Sequence, residues 1–263
     1  MNADVTAALS GEITPKFLAT LDASGRPNCV PIITITPYDD DHLLFGEFMM
    51  NKTRRNLLEC DQVAVTVITD SLDTWSLRGT FLGFETTGER VDLINNSPLI
   101  RYNAYTQVRS AGLIRVEEVS PKATLGRLRL LRDFLRVTAL APLLKDRSEA
   151  QAVMPLPVVE KFRRLSAVRA AGYRGDDGRP RAFSMLACIP AGRSRLVMSD
   201  PLFNAHADAI PHGAELAVSI ITMDPVAYQV KGAYAGRKLG AGVVDVTESY
   251  SASPPLLGEC LHG

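Results

Sequence analysis

The chain has 263 residues, 46% hydrophobic and 22% charged, which suffices for one large core or two modest ones. Lys plus Arg and Asp plus Glu each number 29, so no charge bias favours nucleic acid or an anionic membrane as partner. No apolar run approaches the roughly 20 residues that cross a bilayer, and no charged-then-apolar leader is present, so a cytoplasmic protein is expected. The cysteines Cys29, Cys60, Cys188 and Cys260 form no C-x-x-C pair, and His42, His206, His212 and His262 lack a two-ligand helical spacing. Neither a disulfide framework nor a metal site is expected from them.

Along the chain, apolar stretches bounded by Gly, Pro and Asp predict strands near 17–21, 29–36, 42–45, 63–69, 74–86 and 112–119. The turn between the first two reads Asp22-Ala23-Ser24-Gly25-Arg26-Pro27. A short helix is expected after Asn51, and mixed polar and apolar residues at helical spacing predict another over 90–108. Further on, Leu125, Leu128, Leu131 and Leu135 recur every three or four residues, with Arg129, Arg132 and Arg136 on the other side. This describes an amphipathic connector helix whose leucines would face a core. Pro142, Pro155 and Pro157 then interrupt helical continuity around a polar linker at 145–151.

The remainder repeats the beginning. Gly25-Arg26-Pro27 falls on Gly178-Arg179-Pro180 at an offset of 153 residues, and no gap is needed through Gly79 and Gly232. Eleven of these 55 positions are identical, among them Pro37 with Pro190, Asn51 with Asn204 and Ala64-Val65 with Ala217-Val218. Chance would give about three, so the chain reads as a tandem duplication. The expected fold is mainly β with α (α+β), two six-stranded antiparallel barrels. The first is placed at 1–120, a helical connector at 121–158 and the second at 159–263.

The segment Asn51-Lys52-Thr53-Arg54-Arg55-Asn56, between a strand and a helix start, suits an anion. Backbone N–H groups are unpaired there and the helix dipole favours negative charge; Lys52 with Arg54 or Arg55 adds full charges, and Thr53 adds a hydroxyl. The plainer reading is an exposed basic first turn capped by Asn51 or Thr53. The repeat favours the anion, because copy two has Asn204-Ala205-His206-Ala207-Asp208-Ala209 at these positions. The scaffold persists there without the charge, so one anion site per chain is expected.

With A-T-L-D-A-S-G-R-P-N-C-V-P, N-K-T-R-R-N-L followed by V-A-V-T-V, and W-S-L-R-G-T-F, copy one resembles the FMN-binding split barrels of the pyridoxamine 5'-phosphate oxidase-like family. The small FMN-binding members carry a similar K-T-x-x-N turn and I-R-G strand. In that family two barrels pair with FMN in the groove between them, so the resemblance implies a dimer fused into one chain, and fused chains could pair again. It also implies that Lys52 and Thr53, with Arg54 and Asn51, match the phosphate-binding turn. Pro31, Ile32, Ile33 and Thr34 match the strand along the isoalloxazine ring, and Arg78 and Trp75 lie near the groove. Packing is as good an account of Trp75. His206 replaces Thr53 in copy two, where a structural role is the plainer reading.

The further Arg, His and Tyr residues with which the full oxidases grip a pyridoxal-type phosphate have no match here, so vitamin B6 oxidation is not expected. The implied function is that of an FMN-dependent oxidoreductase acting on a small organic substrate. The alternatives are a non-catalytic FMN-binding or electron-transfer protein with a redox partner, or a deazaflavin- or haem-binding member of the same fold. No catalytic residue is identified.

Overall fold

The computed structural model describes residues 1–48, 50–98, 100, 107–146, 152–224, 226–252 and 260–262. The first half runs α1 (Ala3–Ser10), β1 (Lys16–Leu21), β2 (Pro27–Pro31), β3 (Thr36–Pro37), β4 (His42–Glu47), α2 (Asn51–Glu59), β5 (Gln62–Ile68), β6 (Asp73–Glu85), α3 (Glu89–Asn95), β7 (Ser110–Val119) and β8 (Ala123–Thr124). Two helices follow, α4 (Arg127–Leu144) and α5 (Leu156–Phe162). The second half comprises β9 (Val168–Arg174), β10 (Pro180–Met185), β11 (Cys188–Pro190), β12 (Arg195–Met198), α6 (Pro201–Ala207), β13 (Glu215–Ile221), β14 (Ala227–Lys238), β15 (Ala241–Ser251) and β16 (Cys260–His262). No helix among the described residues is long and apolar enough to cross a membrane.

The duplication is visible strand by strand. The first sheet runs β2-β1-β5-β6-β7-β4-β3, and the second runs β10-β9-β13-β14-β15-β12-β11, which is the same order of equivalent strands. The pairings are antiparallel throughout. Each sheet has eight strands rather than the six expected, because β3, β8, β11 and β16 are only two or three residues long and carry little pattern. The two Gly-Arg-Pro turns agree in detail: Gly25 and Gly178 have φ of +81° and +78°, conformations that glycine adopts without strain. Below Gly25 the Asp22 carboxylate accepts the N–H groups of Ser24 and Arg26 at 3.0 and 2.9 Å.

The copies differ after β6. Copy one inserts α3 before β7, whereas copy two joins β14 to β15 through a tight turn at Leu239 and Gly240, with φ of +53° and +74°. Both long strands keep the same bulge, at Arg78/Gly79 and Lys231/Gly232. A Cβ at either glycine would lie 2.1 Å from a carbonyl oxygen, of Arg115 or Asp245, so only glycine fits.

Several expectations need correction. The strand placed at 29–36 ends at Pro31, and a turn carries the chain to β3. The helix placed over 90–108 is α3 alone over Glu89–Asn95, with 99 and 101–106 outside the described residues, as are 147–151 of the linker. In α4 the buried stripe is Val137, Ala141 and Leu144, with Leu130 and Phe134 packed beside it against Ile189, Val197 and Val243 of the second barrel. Leu128, Leu131 and Leu135, read as the core face, are exposed. The helix carries two apolar stripes, and the more C-terminal one, which includes the aromatic Phe134, lies against the sheet.

Period-two alternation builds both the cores and the junction between them. On β5, Val63, Val65 and Val67 enter the first core, while Ala64 and Thr66 face the other barrel. On β13, Leu216, Val218 and Ile220 enter the second core, while Ala217 and Ser219 face the first. The junction is made of small side chains, Ala19, Cys29, Ala64, Ala170, Ala182 and Ala217 around Phe17. It contains buried hydrogen bonds: Thr66 Oγ1 meets Ser184 Oγ at 3.0 Å, and the Ser219 hydroxyl and Gln229 amide both donate to the Cys29 carbonyl. At the rim Arg26 pairs with Glu215 at 2.7 Å and Glu248 at 2.6 Å. The equivalent arginine of copy two, Arg179, pairs with Glu117.

Candidate functional site

The basic turn opens α2. Met50 stands at its N-cap and no side chain caps the helix, so N–H groups of the first turn have no side-chain acceptor. The turn is anchored from below by two buried amides. Asn28 on β2 donates to Thr53 Oγ1 at 3.1 Å, and Asn56 donates to Thr20 Oγ1 on β1 at 3.0 Å. Thr53 therefore accepts a hydrogen bond, while its own hydroxyl proton has no acceptor among the described residues. Asn51 is exposed at the tip, Arg55 is exposed beyond it, and Lys52 is half-buried.

Lys52 reaches across the junction, its ammonium 4.4 Å from the centre of the Tyr250 ring on β15. Next to it lies Lys231 on β14, only 1% exposed. Burial, and then the charge of Lys52, pull the Lys231 pKa down to about 8. The surrounding carboxylates are already engaged. Glu215 and Glu248 both bind Arg26, and Glu248 also accepts the Tyr250 hydroxyl at 2.5 Å. Burial and that bond to Glu248 push the Tyr250 pKa up. Arginine 26 is held firmly protonated, first by its hydrogen bond to Glu215.

The other sequence-read residues are distributed differently. Arg54 turns away from Lys52: its guanidinium binds the buried Glu47 carboxylate, which also accepts the Ser110 hydroxyl, and lies 4.5 Å over the Phe84 ring. Trp75 is 4% exposed and belongs to the first barrel's core. Arg78 binds Asp177 of the second barrel at 3.0 Å and Glu118 of its own. Pro31 ends β2, and 32–35 form a turn in which Ile32 and Thr34 are buried and Ile33 is exposed. Thr34 Oγ1 accepts the Gly46 N–H at 3.1 Å, and Lys16 Nζ donates to the Ile33 carbonyl at 3.1 Å, tying the turn to β4 and β1. The backbone N–H groups of Ile33 and Thr34 have no acceptor among the described residues. The structure thus brings Lys52 and Thr53 together with Lys231 and Tyr250, and it gives Arg54, Trp75 and Arg78 other partners. Sequence reading missed Lys231 and Tyr250, although Lys231 stands opposite Arg78 in the repeat.

The equivalent place in copy two is filled. The Asp200 side chain caps α6 by accepting the Phe203 N–H at 2.9 Å, and it also takes the N–H groups of Leu186 and Ala187. His206 stacks on Phe183, ring centres 4.5 Å apart and planes 11° from parallel, with Tyr173 Oη 3.3 Å from Nδ1. Burial, with the nearby Arg181 charge, lowers the His206 pKa to about 4, so the ring is neutral at pH 7. Phe183, Tyr173 and Arg181 stand where copy one has the smaller Val30, Thr20 and Asn28. Elsewhere, three potential metal ligands, Asp39, Asp41 and His42, meet at the exposed β3–β4 turn. There one Asp39 carboxylate oxygen already accepts the backbone N–H groups of Asp41 and His42.

Comparison with known proteins bears on the first barrel. Residues 5–124 match the sequence family described as Pyridoxamine 5'-phosphate oxidase. Similar solved structures include an FMN-binding protein from Syntrophomonas wolfei subsp. wolfei, 19% identical with a TM-score of 0.40, the match covering 46% of this chain and 85% of that one. HupZ of Group A Streptococcus is 19% identical with a TM-score of 0.39, covering 48% of this chain and 99% of its own. HutZ, the haem storage protein from Vibrio cholerae, is 16% identical with a TM-score of 0.35, covering 46% and 94%. None of the curated proteins matches this chain.

Proposed function

We propose that this chain, whose first barrel belongs to the pyridoxamine 5'-phosphate oxidase family of split barrels, binds one FMN per chain in the groove between its barrels. The observation that carries this reading is the contrast between the two helix starts. The α2 N-terminus has no side-chain cap, has Lys52 beside it and offers the free hydroxyl proton of Thr53. The α6 N-terminus is closed by its own Asp200 carboxylate. An uncapped helix start with a lysine and a hydroxyl donor supplies what a phosphate monoester needs. The unpaired N–H groups of Ile33 and Thr34 are donors of the kind that a flavin ring edge would take.

When bound, FMN supplies hydride or electron transfer, and the protein's part is placement and electrostatics. In this reading the chain is an FMN-dependent oxidoreductase working on a small organic substrate. Its four free cysteines fit a reducing, cytoplasmic setting. The test is an absorbance spectrum followed by FMN titration. Saturation at one FMN per chain is expected, and Lys52→Ala should weaken binding tenfold or more, about 1.4 kcal/mol. Arg54→Ala should change affinity less, because its guanidinium is already paired with Glu47. A folded chain that binds no FMN would overturn the reading.

A further inference from the structure

The connector helix α4 has two apolar faces, and the second barrel covers one of them. At about 100° per residue, Leu128, Leu135, Ala139 and Pro142 fall within about 40° of one line along the helix, with Leu131 and Leu143 at its edges. That line points away from the buried stripe of Val137, Ala141 and Leu144. Leu128, Leu135 and Leu143 are 85, 60 and 71% exposed. Contiguous exposed leucines mark a surface that meets a partner.

The exposed charges of α4 have one sign. Arg127, Arg129, Arg132 and Arg136 are all exposed, and the helix's single acid, Asp133, is buried. Arg132 pairs with Asp133 at 3.0 Å, whereas Arg127 and Arg129 have no carboxylate partner among the described residues. Arg136 donates to the Leu239 carbonyl at 3.3 Å and so ties the helix to the β14–β15 turn, where Lys238 and Leu239 are also exposed. Leu239 is 63% exposed at φ of +53°, where glycine or asparagine is usual. Neither the turn nor the core calls for leucine at that place.

We propose that the outer face of α4, with the β14–β15 tip beside it, rests on an anionic lipid surface. The leucines enter the acyl boundary and the arginines meet the headgroup phosphates. The chain's charges balance overall, so the attraction is local to this face. A second copy is the poorer occupant, because apposed α4 faces set arginines against arginines with no exposed carboxylate between them. A bilayer supplies the anions and takes leucines from a helix and a separate turn without preformed pockets. The proposal is independent of the flavin.

The experiment sediments the full chain with vesicles of pure phosphatidylcholine or of equal parts phosphatidylcholine and phosphatidylglycerol. Wild type should partition onto the mixed vesicles at least tenfold more strongly than onto the neutral ones, and high salt should weaken that preference. Leu128→Gln with Leu135→Gln should lower partitioning at least tenfold at an unchanged melting temperature, since both side chains are exposed. Leu239→Gly relieves the backbone, so it should bind the mixed vesicles several-fold more weakly with an equal or higher melting temperature. Arg127→Gln with Arg129→Gln should reduce the preference for the anionic vesicles. Wild type that ignores the mixed vesicles, or variants that bind them as wild type does, would overturn the proposal. So would a wild-type dimer in analytical ultracentrifugation that Leu128→Gln with Leu135→Gln converts to monomer, for the face would then be an interface between copies.

Discussion

Single residues show how each barrel manages charge inside an apolar fold. Lys16 and Arg169 occupy the same place in the two copies, both almost fully buried and neither with a carboxylate partner among the described residues. Lys16 donates to the carbonyls of Gly11 and Ile33, and Arg169 donates to those of Phe162, Arg164, Ala167 and Leu186. Each closes the loops around the start of its first strand. Arg169→Met leaves four acceptors without their donor and should cost about 3 kcal/mol or more in urea unfolding, well above Lys16→Met. Burial lowers both Lys16 and Lys231 from 10.5 to about 8. Between those values each of these lysines binds more protons in the unfolded chain than in the folded one, so the pair makes the stability of ligand-free protein rise with pH from about 8. Lys231 is faced by Lys52 from α2, Asp22 and Arg26 from the β1–β2 turn, Glu215 from β13, and Glu248 with Tyr250 from β15. The buried thiols of Cys29 and Cys188, pushed up from 9.0 to about 12 by burial, act in the opposite sense above pH 9, and the raised Tyr250 does so above 10. Melting temperatures should therefore climb from about pH 8 to 9 and level off above it, the climb being less steep in Lys231→Met; a flat wild-type profile between about pH 8 and 9 would mean that neither lysine is perturbed.

At the scale of elements, what could be read in advance follows from how local each signal is. The Gly-Arg-Pro turns, the long alternating strands such as β5 and β6 and the start of α2 are set by neighbours in sequence, and they stand where pattern and repeat place them, whereas the strand expected over 29–36 stops at Pro31. The Arg54 pairing is less legible, because its partner Glu47 lies on the preceding strand and only folding brings the two together. The meeting of Lys52 with Lys231 depends on the docking of two barrels, which no local pattern encodes. In α4 both stripes are apolar, and the choice between them is made by the sheet beneath. Helices α2 and α6 share their place but not their chemistry, and the difference extends beyond the first turn. Installing Ala205→Lys with His206→Thr should therefore leave FMN stoichiometry at one per chain, since Phe183 and Tyr173 still fill the space and Asp200 still caps the helix. A second equivalent of FMN in the titration would show that those two positions alone decide occupancy.

The two barrels meet in a junction between their sheets, and the connector's Leu125 and Leu130 pack beside it against Ile68 and Leu186. Gly172 of β9 lies where an added Cβ would come within 3.0 Å of the Ala19 Cβ and 3.1 Å of the Cys29 Cβ. Gly172→Leu should overfill this seam, lowering stability by about 1–3 kcal/mol and splitting a single thermal transition into two as the barrels uncouple. A single transition at the wild-type temperature would place the coupling elsewhere.

Gly172 and Ala19 are the same position in the two copies, meeting across the seam. Two identical subunits related by a rotation axis must set a residue near that axis against itself, so any gain in bulk is doubled on the spot. Here one side has kept a methyl group and the other has given it up, a knob and a hollow that no self-pairing of either half could make. A replica of the first half docked here would set an Ala19 methyl against an Ala19 methyl, whereas the fused chain sets that methyl against a hydrogen.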